Sequence, residues 1–267
     1  HTAGTVSIID PAARQVIGTV NVGGNPTAIA ITNNGDADDT DETVFVTQFF
    51  ASLIPEGPGE GFDTGKQGIV RSFAVATPNT VATTTLAALA NSGFTADRSA
   101  FCPQSTTVTL HSTIFCPDVN APAGSDIITR DPQGVFPNQL HAALIRNGRL
   151  YLPNIGAAPE PPVRFNTNVQ PLVYVVDTAA AEEMTGLHVN LNQQVFQETQ
   201  PTNPTESLGR LFGNDIVAID ANTAGTTFLI VSRGGNYVFR AALGGDNRLT
   251  IGAPDVIRYQ TGNIPNG

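Results

Sequence analysis

Lysine is nearly absent from this chain: of 13 basic residues only Lys66 is a lysine, and the arginines are dispersed through an acidic sequence of formal charge −10. With no basic stripe to neutralise phosphates, nucleic acid is excluded as a partner on electrostatic grounds. An acidic surface favours solubility and attracts cations or a basic protein. No apolar run approaches the roughly 18 residues that a membrane-spanning helix needs. Charged residues make up only 13% against 40% hydrophobic, which excludes a disordered chain. The 26 glycines and 19 prolines are scattered rather than clustered, the pattern of many short strands joined by turns and not of a linker.

Chemical motifs are equally scarce. There is no C-x-x-C-H haem attachment, Gly-x-Ser-x-Gly elbow, phosphate loop or dinucleotide fingerprint. The four histidines, His1, His111, His141 and His188, show no zinc spacing. His141 falls in an apolar run and reads as a hydrogen-bonded core residue. His111 sits in a cysteine loop, where it serves as an axial ligand or a surface contact. His1 could chelate copper through its amine and ring if that terminus is native. The only cysteines, Cys102 and Cys116, bracket a Thr- and Ser-rich stretch, and each precedes a proline. Two cysteines in one polar loop are poor core material. They read as a disulfide, which implies an oxidising, extracytoplasmic compartment and contributes about 3 kcal/mol in the chain-entropy account. The alternative is a pair of buried thiols in a reducing cell.

What the chain does contain is a β unit that recurs in degraded form. The clearest copy runs from Gly24-Asn25-Pro26-Thr27-Ala28-Ile29-Ala30-Ile31 through an Asn34-Gly35 turn to Thr43-Val44-Phe45-Val46-Thr47. It continues as strands at 68–75 and 81–86. Four short strands in series describe one antiparallel blade, which cannot bury both faces alone and so is repeated. A hairpin at Thr5–Asp10 and Val16–Val22 forms half of a preceding unit. A second full unit opens at Phe136 and runs as one strand to Ile145, then turns at Asn147-Gly148 and continues at 149–152 and 172–177. A third spans 214–219, 227–232 and 236–241. Thr261 to Gly267 echoes Val22 to Ala28 and starts another. The expected fold is therefore all-β, a propeller of four-stranded antiparallel blades with about three and a half blades present across 1–267. The chain is expected to be an incomplete part of a larger ring, with a four-bladed closed ring as the alternative. The first residue is His1, with neither initiator methionine nor signal peptide, which fits a processed or excerpted chain.

The spacing from Pro26 to Pro137 is 111 residues and from Pro137 to Asp215 is 78. Simple propeller repeats are nearer to about 40–50. The excess lies in insertions at 50–67, 87–135 and 157–171, of which 87–135 carries the cysteine loop. Such insertions are where function or subunit contacts concentrate.

At Gly4-Thr5-Val6-Ser7-Ile8-Ile9-Asp10, Val22-Gly23-Gly24-Asn25-Pro26-Thr27-Ala28-Ile29-Ala30-Ile31 and Val44-Phe45-Val46-Thr47 the chain resembles the YVTN-type β-propeller family. The family's D-G turn is replaced here by Asn34-Gly35 with an acidic insertion, and its Tyr-Val-Thr-Asn strand by Phe45-Val46-Thr47-Gln48. The match covers the first 50 residues closely and the later units weakly. It implies an exported seven-bladed propeller, in some members linked to c-type cytochrome or di-haem peroxidase-like modules. The heavy subunit of a quinoprotein amine dehydrogenase is a related arrangement. No catalytic residue carries over, because the repeat motif is structural.

The sharpest local feature is Asn34-Gly35-Asp36-Ala37-Asp38-Asp39-Thr40-Asp41-Glu42. Asp36, Asp38, Thr40 and Glu42 form an every-other-residue oxygen set of the kind Ca²⁺ takes, although no glycine occupies the sixth position of an EF-type loop. A solvated acidic turn is the alternative. Ser232-Arg233-Gly234-Gly235-Asn236 and Pro153-Asn154-Ile155-Gly156 follow strands, where a propeller presents loops. Arg233 there could bind an anion or a partner carboxylate, or Gly234-Gly235 could be a plain turn.

The functional expectation is a non-catalytic extracytoplasmic scaffold, periplasmic, secreted or at the cell surface. It would dock a protein partner such as a c-type cytochrome or peroxidase-like electron-transfer module. The alternatives are an enzyme subunit with a substrate or metal site at the propeller channel, and a Ca²⁺-stabilised structural cell-surface protein.

Overall fold

The computed structural model describes residues 3–97, 130–160, 168–199 and 213–251, and these are all-β apart from one helix and two short 3-10 turns. Both cysteines, His1, His111 and the C-terminal echo at 261–267 lie outside the described residues.

Each sequence-predicted unit forms an antiparallel sheet. The first hairpin pairs β1 (Thr5–Asp10) with β2 (Gln15–Asn21). Sheet 1 is a four-strand meander of β3 (Pro26–Ile31), β4 (Thr43–Gln48), β6 (Lys66–Ala74) and β7 (Ala82–Leu86). The short β5 (Ser52–Leu53) extends the β4 side of β6. The insertion that follows starts with a two-stranded ribbon, β8 (Thr95–Asp97) with β9 (Arg130–Pro132).

Sheet 2 differs from expectation at both edges. Its first strand is split into β10 (Phe136–Asn138) and β11 (Leu144–Arg146), so His141 lies in an irregular break and not in a strand. The backbone of this break turns to sheet 1: Leu140 N–H donates to Phe49 O (3.2 Å), and Leu140 O accepts from the Thr47 hydroxyl (3.0 Å). The second strand, β12 (Arg149–Ala157), runs straight through Pro153-Asn154-Ile155-Gly156, which are strand interior and not loop. Proline in a central strand normally costs a ladder hydrogen bond. Here β10 pairs only with 155–157 and β11 only with 149–151, so Pro153 sits where that side of the ladder is already interrupted. β13 (Val169–Asp177) completes the long hairpin, and β14 (Glu182–Glu183) with β15 (Val189–Asn190) forms a split fourth strand. Helix α1 (Leu191–Thr199) follows, with Asn190 Oδ1 accepting from Asn192 N–H as its N-terminal cap. Sheet 3 is a regular meander of β16 (Ile216–Ala221), β17 (Thr227–Ser232), β18 (Tyr237–Leu243) and β19 (Leu249–Ile251).

Period-two alternation explains how these sheets stack. On β13, Leu172, Tyr174 and Val176 pack with Phe45, Val70 and Leu86 of sheet 1. The alternate residues Val173 and Val175 pack with Phe228, Ile230 and Phe239 of sheet 3. Sheet 2 is thus buried on both faces, which is why β12 and β13 read as near-continuous apolar runs. A third cluster joins Val20 and Val22 of the hairpin to Val44, Val46 and Phe73 of sheet 1. The order is hairpin, sheet 1, sheet 2, sheet 3. Among the described residues no core cluster joins the hairpin to sheet 3.

Candidate functional site

The strand directions place every long insertion at one end of the stack. In each sheet the second strand ends and the third begins at the same end, and connections 49–65 and 158–168 leave from there. The links from one sheet to the next, 87–135 and 191–215, leave from that end too. The opposite end carries the turns at 75–81, 147–148, 178–181, 222–226 and 244–248, together with the acidic segment 32–42. Contacts between sheets confirm the alignment. At the insertion end Asp63 and Glu160 clasp reciprocally, each backbone N–H donating to the other's carboxylate (3.1 and 2.8 Å). At the turn end Asn147 Nδ2 donates to Ala224 O (3.1 Å). The 50–67 insertion is itself tightly wound: a Cβ on Gly65 would lie 1.7 Å from Gly59 O, so only glycine closes it.

Three sheets converge on one side-chain group at this end. Arg233, in the turn after β17, donates from Nε (2.5 Å) and Nη2 (3.1 Å) to the two carboxylate oxygens of Asp215, the residue before β16. Asp215 adopts a positive φ of 52°. From the break in sheet 2, His141 Nε2 approaches Asp215 Oδ1 at 3.8 Å without a hydrogen-bond partner of its own. Burial holds the His141 imidazole below the ordinary histidine range, opposed by the Asp215 charge and reinforced by Arg233. It is therefore neutral at neutral pH, and the pair is not an ion pair there. Phe49, at the end of β4, meets His141 edge-on (5.0 Å between centroids) and leads to exposed Phe50. Arg233 and the Gly234-Gly235 turn were both legible in the sequence. The Asp215 and His141 partners were not, because they arrive from separate units.

Below this group, buried amides hold the insertions in place. Asn192 Oδ1 accepts from Gly213 N–H (2.6 Å), and its Nδ2 donates to Gly213 O (3.2 Å) and to Gln170 Oε1 (3.3 Å). Asn190 Nδ2 reaches Ser92 O (2.7 Å). Four separated segments thus share one polar core. Its only sequence signal is the Asn190-Leu191-Asn192 cap.

A second buried group missed from the sequence joins Tyr174, His188 and Glu183. The rings of Tyr174 and His188 stack with centroids 4.0 Å apart. His188 Nδ1 accepts from Val175 N–H (3.2 Å), which leaves the proton on Nε2, donated to Glu183 Oε1 (2.9 Å). Tyr174 OH donates to Ala87 O (2.7 Å), and burial, helped by the Glu183 charge, pushes its ionisation far above the ordinary tyrosine range. The folded state keeps a proton that the unfolded chain releases above about pH 10. Stability present below that pH is therefore expected to fall as pH rises, at up to about 1.4 kcal/mol per unit. Urea melts between pH 9 and 11, roughly spanning that transition, should show a steeper slope in the native chain than in Tyr174→Phe, where Tyr151, also pushed up by burial, keeps a part of it.

The acidic turn lies at the other end and is closed by its own hydrogen bonds. Glu42 is buried, with one oxygen accepting from the Thr32 hydroxyl and the other from Asn34 N–H (2.7 Å). Asp38 accepts from Thr40 N–H (3.0 Å) and the Thr40 hydroxyl (2.5 Å), which holds it below the usual carboxylate range. Asp36 accepts from Asp38 N–H (2.8 Å) and Asn34 Nδ2 (2.9 Å). Asp41 is pushed up by desolvation and by Asp36, Glu42 and Asp38. Among the described residues no three His, Cys, Asp or Glu side chains form a metal-holding group. A Ca²⁺ at Asp36, Asp38, Thr40 and Glu42 would share these oxygens with the bonds already made, at carboxylates that do not converge as such a group. Excess Ca²⁺ or EGTA is accordingly expected to move the melting temperature by less than about 1 °C; a Ca²⁺-dependent rise of several degrees would establish an ion.

No family model matches the chain, and no curated protein matches it. Among solved structures it is similar to Kuenenia stuttgartiensis hydrazine synthase at 12% identity and a TM-score of 0.39, covering 90% of this chain and 59% of that one. It is also similar to a Synechocystis apocarotenoid oxygenase mutant at 13% identity and a TM-score of 0.24, covering 90% and 56%. The chain thus spans less than two thirds of either protein. Among the described residues no helix is long and apolar enough to cross a membrane.

Proposed function

We propose that this chain is a propeller-type scaffold that docks a protein partner through its insertion-bearing end. One observation carries the reading: insertions from successive sheets leave the same end and are clasped to one another by Asp63–Glu160 and the Asn190–Asn192 amides. Insertions gathered on one side of a stack of sheets are the usual way a β scaffold builds a recognition surface. The stacked four-strand meanders support the propeller reading. The disulfide expected from the sequence between Cys102 and Cys116 and the YVTN resemblance are the grounds for an extracytoplasmic setting, and the resemblance alone for a c-type cytochrome or peroxidase-like partner.

Cross-linking mass spectrometry of the native particle, with haem staining of every co-purifying polypeptide, tests this reading. Cross-links from 50–67, 87–135 and 157–171 to a haem-carrying partner are expected. Cross-links confined to the turns of the opposite end would overturn the docking assignment, and a haem-free partner would overturn the electron-transfer one.

A second reading, an enzyme subunit with its site at the same end, is favoured by His141, whose enclosed Nε2 faces Asp215 without a hydrogen bond. It requires His141→Gln to abolish an activity of the native particle while leaving its melting temperature unchanged.

A further inference from the structure

The Ser232-Arg233-Gly234-Gly235 turn is framed more closely than a strand connection requires. The buried Ser232 hydroxyl donates to Asn214 O (2.7 Å) and accepts from Asn214 N–H (3.0 Å) and Gly235 N–H (3.1 Å). Arg233 N–H donates to Asp215 O (3.0 Å), Gly234 N–H to Asn214 O (3.2 Å), and Asp215 N–H to Asn214 Oδ1 (2.7 Å). A Cβ on Gly235 would lie 2.6 Å from the Tyr237 ring, so glycine closes the turn. This frame sets the backbones of Asp215 and Arg233 side by side, and the guanidinium meets the carboxylate through Nε and Nη2. An arginine held by that edge keeps a second fork, Nη1 with the outer N–H of Nη2, whose planar geometry matches another carboxylate. The side chain that carries this fork is 65% exposed.

Charge decides when an anion would stay there. Arg233 and Asp215 cancel, and His141 is neutral at neutral pH, so the group then carries no net charge. Among the described residues, Asp215 and Arg233 are the charged side chains that face His141, and Phe49 packs against it edge-on. The His141 Nε2 is enclosed, without a hydrogen bond, 3.8 Å from Asp215 Oδ1, so a proton taken up by this ring turns the group into a monocation. We propose that Arg233 and His141 form a proton-gated site for a carboxylate, which seats on the outer fork of Arg233 and is held more tightly when His141 is protonated. The protonated ring draws on Asp215, leaves more of the Arg233 charge to the ligand and adds its own attraction. A carboxylate is favoured over a halide because the fork offers two parallel N–H donors. The site stands on its own geometry, and its failure would leave the docking proposed for the same end untouched.

The test follows the His141 ring by NMR in the full chain while sodium formate, ionised throughout the histidine range, replaces chloride at constant ionic strength. Formate is expected to bind with a dissociation constant on the order of 10 mM near pH 5 and at least about threefold more weakly near pH 8. By reciprocity, formate should move the His141 titration to higher pH by about half a pH unit. Arg233→Lys, which keeps the charge and loses the fork, is expected to weaken formate at least about fivefold with an unchanged melting temperature. His141→Gln should bind formate as the native chain does near pH 8, roughly above the histidine range, and lose the dependence on pH. A blocked peptide carrying one glutamate is the second probe: binding of both assigns the site to a carboxylate on a polypeptide, and binding of formate alone to a free one. No change as formate replaces chloride would overturn the proposal, including the case in which an acidic side chain of this chain already fills the fork. Binding that survives Arg233→Lys would overturn the fork, and binding that leaves the His141 titration in place would overturn the gating.

Discussion

Replacing Phe228 by alanine is expected to destabilise the protein by about 3–5 kcal/mol, a melting-temperature drop of roughly 10 °C. Phe228 is fully buried between sheets 2 and 3, and its ring lies 4.8 Å from that of Tyr151. Truncation leaves a void that the two facing sheets cannot close without moving apart, so the cavity cost adds to the lost transfer energy. The neighbouring Leu229→Ala removes a side chain from the exposed face of the same strand and is expected to cost less than about 0.5 kcal/mol. Chemical denaturation of the two variants checks the stacking order directly. Equal losses at both positions would mean that sheet 3 is covered on both faces.

Asn192→Ala is expected to cost about 3 kcal/mol, although it removes only a small polar side chain. Its amide satisfies both backbone groups of Gly213 and also reaches Gln170, all inside a region closed to solvent. Each group left without a partner costs on the order of 1–3 kcal/mol. The effect should extend beyond stability. Gly213 leads directly into Asp215, which holds Arg233 and faces His141, so the variant is expected to lose partner cross-links at the insertion-bearing end even at temperatures where it stays folded. A loss of less than about 1 kcal/mol, with cross-links retained, would mean that water takes over the amide's bonds.

The predicted strands and the observed ones agree where a unit is locally complete. β1 and β2, the four main strands of sheet 1 and the first three strands of sheet 3 follow from alternating apolar residues and the turns between them, whereas β19 was not read. Sheet 2 departs from the reading for tertiary reasons. The apolar run through His141 carries strand propensity, yet Gln139 adopts a positive φ, and the backbone beyond it bonds to Thr47 and Phe49 of another sheet. The buried amides of Asn190 and Asn192 carried almost no signal, since asparagine is ordinarily a surface or turn residue.

By itself, then, and apart from the 191–215 link with its helix, the sequence determined the all-β class, the order of the described strand units and the positions of the other long insertions. Those features depend on side-chain period and turn chemistry, which act between neighbours in the chain. Only the tertiary structure decided that the insertions share one end, that His141, Asp215 and Arg233 meet there, and that Ile29 and Ile31 stay exposed beside the hairpin. Each of these depends on which faces and ends of separate sheets are brought together, and that is set by burial across the stack, not by any single stretch of residues.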